Sequence, residues 1–259
     1  MRKFLLTSVG VTALAVSANA TDFTLSGSSL LNIDDDGDTS VANTINVGVS
    51  KTFDNGMVLA LSQNMNAAST EMTITSDAVS ITFGDFDQNE KNTGIGGNAA
   101  SADIDGDGAS AASNNTGAIS LGTSIAGLSV GASMNEAGDT MFGASMDTEV
   151  GGMAITVGGD MYSGDIASTD QTVMSVKATI GNIVAVANSR GDDSSATADI
   201  MTYSAVYTAG SLVLGFQGSD ANTSVVSATY TIVPGMQFEM GSEDSGTATT
   251  TSAQLQMTF

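Results

Sequence analysis

The chain has 259 residues, of which 28 are acidic and only 6 basic, for a formal charge of −22. That surplus excludes nucleic acid as a partner, since phosphate backbones demand Lys and Arg, and it attracts cations while repelling anions. The chain has no histidine, which removes Ser-His-Asp and Cys-His nucleophiles and the commonest zinc ligand, and no cysteine, so an exported chain must be held without disulfides.

The chain opens with Arg2 and Lys3, an apolar run over residues 4–16, and Ala18-Asn19-Ala20. This is the pattern of a secretory signal peptide over residues 1–20, too short and wrongly flanked for a membrane span. Cleavage after Ala20 leaves Lys51, Lys91, Lys177 and Arg190 as the bases facing all 28 acids. No later apolar run reaches the ~20 residues of a membrane helix.

From Thr21 onward the hydrophobic period is two. Phe23, Leu25, Leu31 and Ile33 share one parity, and Thr24, Ser26, Ser28 and Asn32 the other. Ile45, Val47, Val49 and Phe53 alternate with Asn46, Gly48, Ser50 and Thr52. The last stretch sets Ala253, Leu255, Met257 and Phe259 against Gln254, Gln256 and Thr258. Alternation of this length predicts strands with two different faces, and a single proline in the whole chain suits a hydrogen-bonded ladder.

The connections are of two kinds. Tight hairpin turns are expected at Asp54-Asn55-Gly56, Thr75-Ser76-Asp77, Ala126-Gly127, Gly151-Gly152, Gly181-Asn182, Ala209-Gly210 and Pro234-Gly235. Longer acidic and polar loops lie near 34–40, 66–69, 85–116, 135–139, 164–170, 190–198, 219–222 and 242–249. Interleaving them predicts sixteen strands with both chain ends on the tight-turn side, or fourteen if residues 71–74 do not cross as a strand. A membrane strand needs ~9–11 residues, and the chain supplies enough. A soluble sandwich or solenoid also alternates. Against it stand short turns on one side with longer loops on the other, and strand faces such as Ser129-Gly131-Ser133 and Ser227-Thr229-Thr231, whose small polar residues suit a wet lumen without aromatic filling. The fold class is therefore all-β, a transmembrane antiparallel barrel over residues 21–259.

Residues 85–116 have no hydrophobic period, six acids against one lysine, and glycines throughout. A segment this long without structure is usually functional or disordered. It is expected to fold into the barrel mouth, where its acids set what passes.

The Gly-rich turns opening into alternating strands (Ala126-Gly127-Leu128, Gly151-Gly152-Met153), the strand over residues 78–84 ending in Gly84-Asp85, the long third loop behind it and the final Phe259 resemble the general diffusion porins of alphaproteobacterial outer membranes. The resemblance implies a third loop that narrows the pore, a homotrimer, contact with outer-membrane lipid and lipopolysaccharide, and delivery by barrel-assembly machinery that recognises a terminal aromatic. The chain departs from that family in its small loops and in lacking a basic cluster opposite the acidic loop.

The expected pore constriction comprises Asp85, Asp87, Glu90, Lys91, Asp103, Asp105 and Asp107 from the long segment with Lys177 and Arg190 from the wall. Lys177 shares lumen parity with Val173, Ser175 and Thr179; Arg190 sits where a strand meets an outer loop. Glu71, Asp147, Glu149, Asp160 and Glu239 are further lumen-parity acids, tolerated in a water-filled interior. Lys51 has lipid parity and is expected to snorkel to headgroups. Asp103-x-Asp105-x-Asp107-Gly108 matches the opening of an EF-hand loop, a weak Ca2+ clip, but Asn114 stands where the bidentate Glu belongs. No other cofactor is implied. The methionines and most aromatics read as lipid-facing surface and interface girdles.

These features point to a non-enzymatic, cation-preferring, water-filled channel for passive diffusion of small hydrophilic solutes and ions, in the outer membrane of a Gram-negative bacterium. The alternatives are a substrate-specific channel and, in a different class, an exported acidic, calcium-ordered structural or adhesive β-protein.

Overall fold

The structure is a computed structural model that describes residues 21–34, 37, 39–66, 69–87, 116–164, 170–192 and 199–259. The first strands are β1 (Thr21–Ile33), β2 (Thr39–Thr52), β3 (Val58–Asn64), β4 (Thr70–Thr75) and β5 (Val79–Asp87). Beyond residue 115 come β6 (Thr116–Ile125), β7 (Leu128–Met134), β8 (Thr140–Val150), β9 (Met153–Ser163), β10 (Gln171–Ile180) and β11 (Ile183–Asp192). The chain finishes with β12 (Ile200–Ala209), β13 (Leu212–Ser219), β14 (Ser224–Val233), β15 (Met236–Asp244) and β16 (Thr249–Thr258).

Each strand pairs with its sequence neighbours, and β16 returns to β1, giving a closed sixteen-strand barrel. Closure leaves no open sheet edge running round the wall, which hydrocarbon could not satisfy. The fourteen-strand alternative fails because β4, although only six residues long, pairs on one side with β3 and on the other with β5. All seven expected tight turns connect strands at one rim, and the strand ends joined by the longer loops lie at the other. The first described residue, Thr21, and the last, Phe259, lie on the tight-turn side. There Gly27 and Phe259 exchange two backbone hydrogen bonds of 3.0 Å. The Phe259 ring lies on Gly27 so closely that a Cβ at that glycine would meet Cζ at 2.7 Å.

The alternation read from the sequence becomes two surfaces. The outer one carries exposed apolar side chains on every strand but β4 and β16, among them Val41, Leu61, Leu121, Phe142, Met174, Tyr230 and Met240; Met72 and Ile74 of β4 and Leu255 and Met257 of β16 are half-buried. The aromatics Tyr203 and Phe216 stack there with ring centroids 5.9 Å apart. Lys51 belongs to this surface, its ammonium 5.3 Å from the Phe53 ring centroid, a cation–π contact at the tight-turn end. A belt this large is unfavourable in water and matches a hydrocarbon environment. Among the described residues no helix is long and apolar enough to cross a membrane.

One hairpin carries visible strain. Ala126 adopts φ 52° and Gly127 φ 82° between paired Ile125 and Leu128. Both central residues of such a turn need positive φ, which costs an L-residue with a Cβ roughly 1–2 kcal/mol. Ala126→Gly and Ala126→Asn are therefore expected to raise the urea midpoint of unfolding by about 1 kcal/mol equivalent. A midpoint that stays put or falls would mean that the turn stores no strain.

Candidate functional site

The inner surface is built from the other parity. Cross-strand registry sorts it into rows. Glu71, Thr73 and Thr82 lie together on β4 and β5: the Thr73 hydroxyl donates to Glu71 Oε1 at 3.1 Å and lies 3.2 Å from the Thr82 hydroxyl. Asp147 of β8 faces Thr156 of β9, whose hydroxyl donates to its Oδ1 at 2.6 Å, and Thr156 faces Lys177 of β10. Asp160, Val173 and Arg190 make a parallel row over β9, β10 and β11. Each wall base thus has an acid two strands away on the same row. Among the described residues no continuous basic arc opposes the acids.

Exposure changes with height. Near the tight-turn rim Asp147, Glu149, Thr208 and Thr231 are exposed, while further up these strands and their neighbours Ser145, Asp160, Ser204, Thr229 and Glu239 are buried. Gln217 is 0% and Met141 1% exposed. Inward side chains are thus exposed at the tight-turn rim and buried in a band above it. Lys177 and Arg190 are both half-buried on this inner face.

At the loop end Asp139 forms an anchored corner. It accepts hydrogen bonds from the Tyr162 hydroxyl at 2.9 Å and from Asn135 Nδ2 at 2.8 Å, while its own N–H donates to Asn135 Oδ1 at 2.8 Å. Tyr162 and the inward Met141, Val173, Val186 and Val225 show that the wall is less uniformly polar than alternation predicts. Single-sequence parity locates these positions but gives no reason to find an aromatic or a valine at them.

The long segment begins later than expected. β5 does not end at Gly84-Asp85 but continues to Asp87, which pairs with Thr116, the first residue of β6. Continuation is possible because of a bulge. Phe83 faces Ile119 while Phe86 faces Gly117, so Gly84 and Asp85 together stand opposite Ala118, on the same inner face as Ser120. Gly84 has φ 105°, a backbone state reserved for glycine. The buried Phe86 ring covers Gly117, where a Cβ would overlap it. Asp85 is exposed. Glu90, Lys91, Asp103, Asp105 and Asp107 lie outside the described residues, and with them the expected Ca2+ clip. Among the described residues no group of three acids, histidines or cysteines could hold a metal.

A closed antiparallel barrel with an apolar outside and a largely polar inside defines the class of transmembrane β-barrel proteins. The chain matches no protein-family model and no curated protein by sequence. Among solved structures it is similar to the outer-membrane expressed OmpT of Vibrio cholerae, with TM-score 0.66 and 12% identity over 95% of this chain and 100% of that one. It is also similar to two variants of Rhodopseudomonas blastica porin. One gives TM-score 0.63 at 14% identity and the other 0.61 at 15%, each over 92% of this chain and 100% of the porin. At these identities the likeness is one of fold: the chain has the sixteen-strand architecture of the porins.

Proposed function

We propose that this protein is an outer-membrane porin, a water-filled and cation-preferring channel for passive diffusion of small hydrophilic solutes and ions, exported by way of a signal peptide over residues 1–20. The observation that carries the reading is the division of the closed barrel into an apolar outer belt and an inner wall of hydroxyls, amides and acids. The fold shared with Rhodopseudomonas blastica porin supports it. An exported adhesive protein has no use for such a belt. The described wall shows neither an aromatic nor an arginine ladder that would favour a channel dedicated to one substrate. Diffusion through such a wall needs no catalytic step. Purified, folded protein added to a planar bilayer is expected to give stepwise conductance increments and to let small sugars swell liposomes. Folded protein that inserts without conducting would overturn the proposal.

We further infer assembly with other copies of the chain, as a homotrimer, through the outer surface near the chain ends. β3 has seven residues and β4 six, short of the ~9–11 that a tilted strand needs to cross hydrocarbon. On the neighbouring outer face Ser29 of β1 pairs with the exposed Asn43 of β2 amid apolar residues, and polar groups at that place suit a protein neighbour better than lipid. Crosslinking in mild detergent is expected to give a trimer band, lost first on replacing Asn43 by a bulky charged residue. Monomer alone at every concentration would refute it.

A further inference from the structure

Glu239 is a wall acid whose chemistry the channel reading leaves incomplete. It lies mid-way along β15 on the inner face and is 5% exposed. Its neighbours on that face are Thr229 of β14 and Gln254 of β16, and Gln254 in turn faces Asn32 of β1. Glu239 Oε2 accepts a hydrogen bond of 2.7 Å from Gln254 Nε2. Glu239 Oε1 is buried with no partner, and so is Asn32 Oδ1 at the other end of the row. One amide donor group therefore sits between two sets of acceptors.

A carboxylate withdrawn from water needs a compensating charge or donor. No lysine or arginine occurs on β12, β13, β14, β15, β16 or β1, so this sector of the wall has no base of its own to supply one. Carboxylate, amide and hydroxyl oxygens are the ligands hard cations take, and a single carboxylate among neutral oxygens matches a single positive charge. Barrel curvature turns inward side chains toward one another. The adjacent row, Ser227, Gly241 and Ser252, is small, so the longer side chains have room to move sideways. Turning the Gln254 amide over exchanges its NH2 for its oxygen with no change of shape. The row then presents oxygens from all four residues.

We propose that Thr229, Glu239, Gln254 and Asn32 form a binding subsite for a partly dehydrated monovalent metal cation on the lumen wall. The subsite rests on the reading of the barrel as a channel and names where a permeating cation pauses. Rubidium is the probe. Crystals soaked in RbCl are expected to show an anomalous peak within reach of Glu239 Oε1 and Asn32 Oδ1. Glu239→Gln abolishes the peak, and Asn32→Leu, which leaves the charge unchanged, weakens it. Single-channel conductance of Glu239→Gln in 20 mM RbCl is expected to fall at least threefold, with little change in 1 M. Asp54→Asn, in the distant β2–β3 turn, leaves both readouts as they were. No rubidium in the row, a peak that survives Glu239→Gln, or an equal conductance loss in Asp54→Asn would each overturn the subsite. Protein that does not conduct at all would instead remove the channel reading, and the rubidium peak alone would then decide the subsite.

Discussion

Across a KCl gradient at low salt, the reversal potential is expected to take the sign of K+ permeation, and to shrink toward zero when both solutions approach 1 M. The chain carries 28 acids against 6 bases, and the described inner wall carries Glu71, Asp147, Glu149, Asp160 and Glu239 against Lys177 and Arg190. Field lines in a narrow channel with low-dielectric walls are focused, so these charges act more strongly on an ion than they would on an open surface. The screening length is about 8–10 Å at physiological salt and about 3 Å at 1 M, so dilute salt leaves the whole cross-section under the field and concentrated salt does not. Asp147→Asn with Asp160→Asn is expected to lower the K+/Cl− permeability ratio severalfold in dilute salt, because each acid lies two strands from a base that then stands uncompensated. Lys177→Glu with Arg190→Glu should raise it. Replacing Asp103, Asp105 and Asp107 together by Asn tests the long segment separately from the wall. Anion preference in the unmodified protein would contradict the whole electrostatic reading.

Much of this barrel was legible before any coordinates. Period-two alternation fixes which residues share a face, and turn chemistry fixes where one strand stops. Those two signals located all seven tight turns and the sixteen strands, and parity assigned Lys177 and five acids to one face; Arg190, at the edge of a strand, had no such assignment. The bulge at Gly84 was not legible, because one extra residue leaves the local pattern of Phe83, Gly84, Asp85 and Phe86 looking like a strand end. Its signal is the glycine itself, isolated in a strand and followed by another large apolar residue. Nor could alternation reveal the row of Glu239, Gln254 and Asn32. It joins the last two strands to the first, residues more than 200 positions apart in the chain, and register across a closing seam depends on shear, which no single strand encodes. The acids of residues 88–115 belong to a stretch with no period at all, where composition alone carried the expectation.

Gly84→Ala is expected to destabilise the barrel and to alter its selectivity together, which separates it from every other glycine substitution at a turn. At φ 105° a Cβ on residue 84 would overlap the carbonyl oxygen of Thr70, a backbone atom of β4 that cannot swing aside. Either the bulge opens or β4 shifts. β4 has only six residues, paired to β3 and β5, so a shift there loosens the shortest part of the wall. Positive φ for a residue with a Cβ and a backbone collision each cost on the order of 1–3 kcal/mol, so a loss of about 2–4 kcal/mol is expected, read as a lower urea midpoint. Gly56→Ala is the control: its φ is 81°, yet nothing lies within 4 Å of the added atom, so it carries the φ cost alone and shows the smaller loss. The functional consequence follows from register. Opening the bulge removes the extra residue between Phe83 and Phe86, rotates Asp85 off the inner face and lifts Phe86 from Gly117. The K+/Cl− permeability ratio in dilute salt should therefore fall in Gly84→Ala and hold in Gly56→Ala. Equal stability losses in the two variants, with selectivity untouched in both, would mean that the bulge is not what aims Asp85 into the lumen.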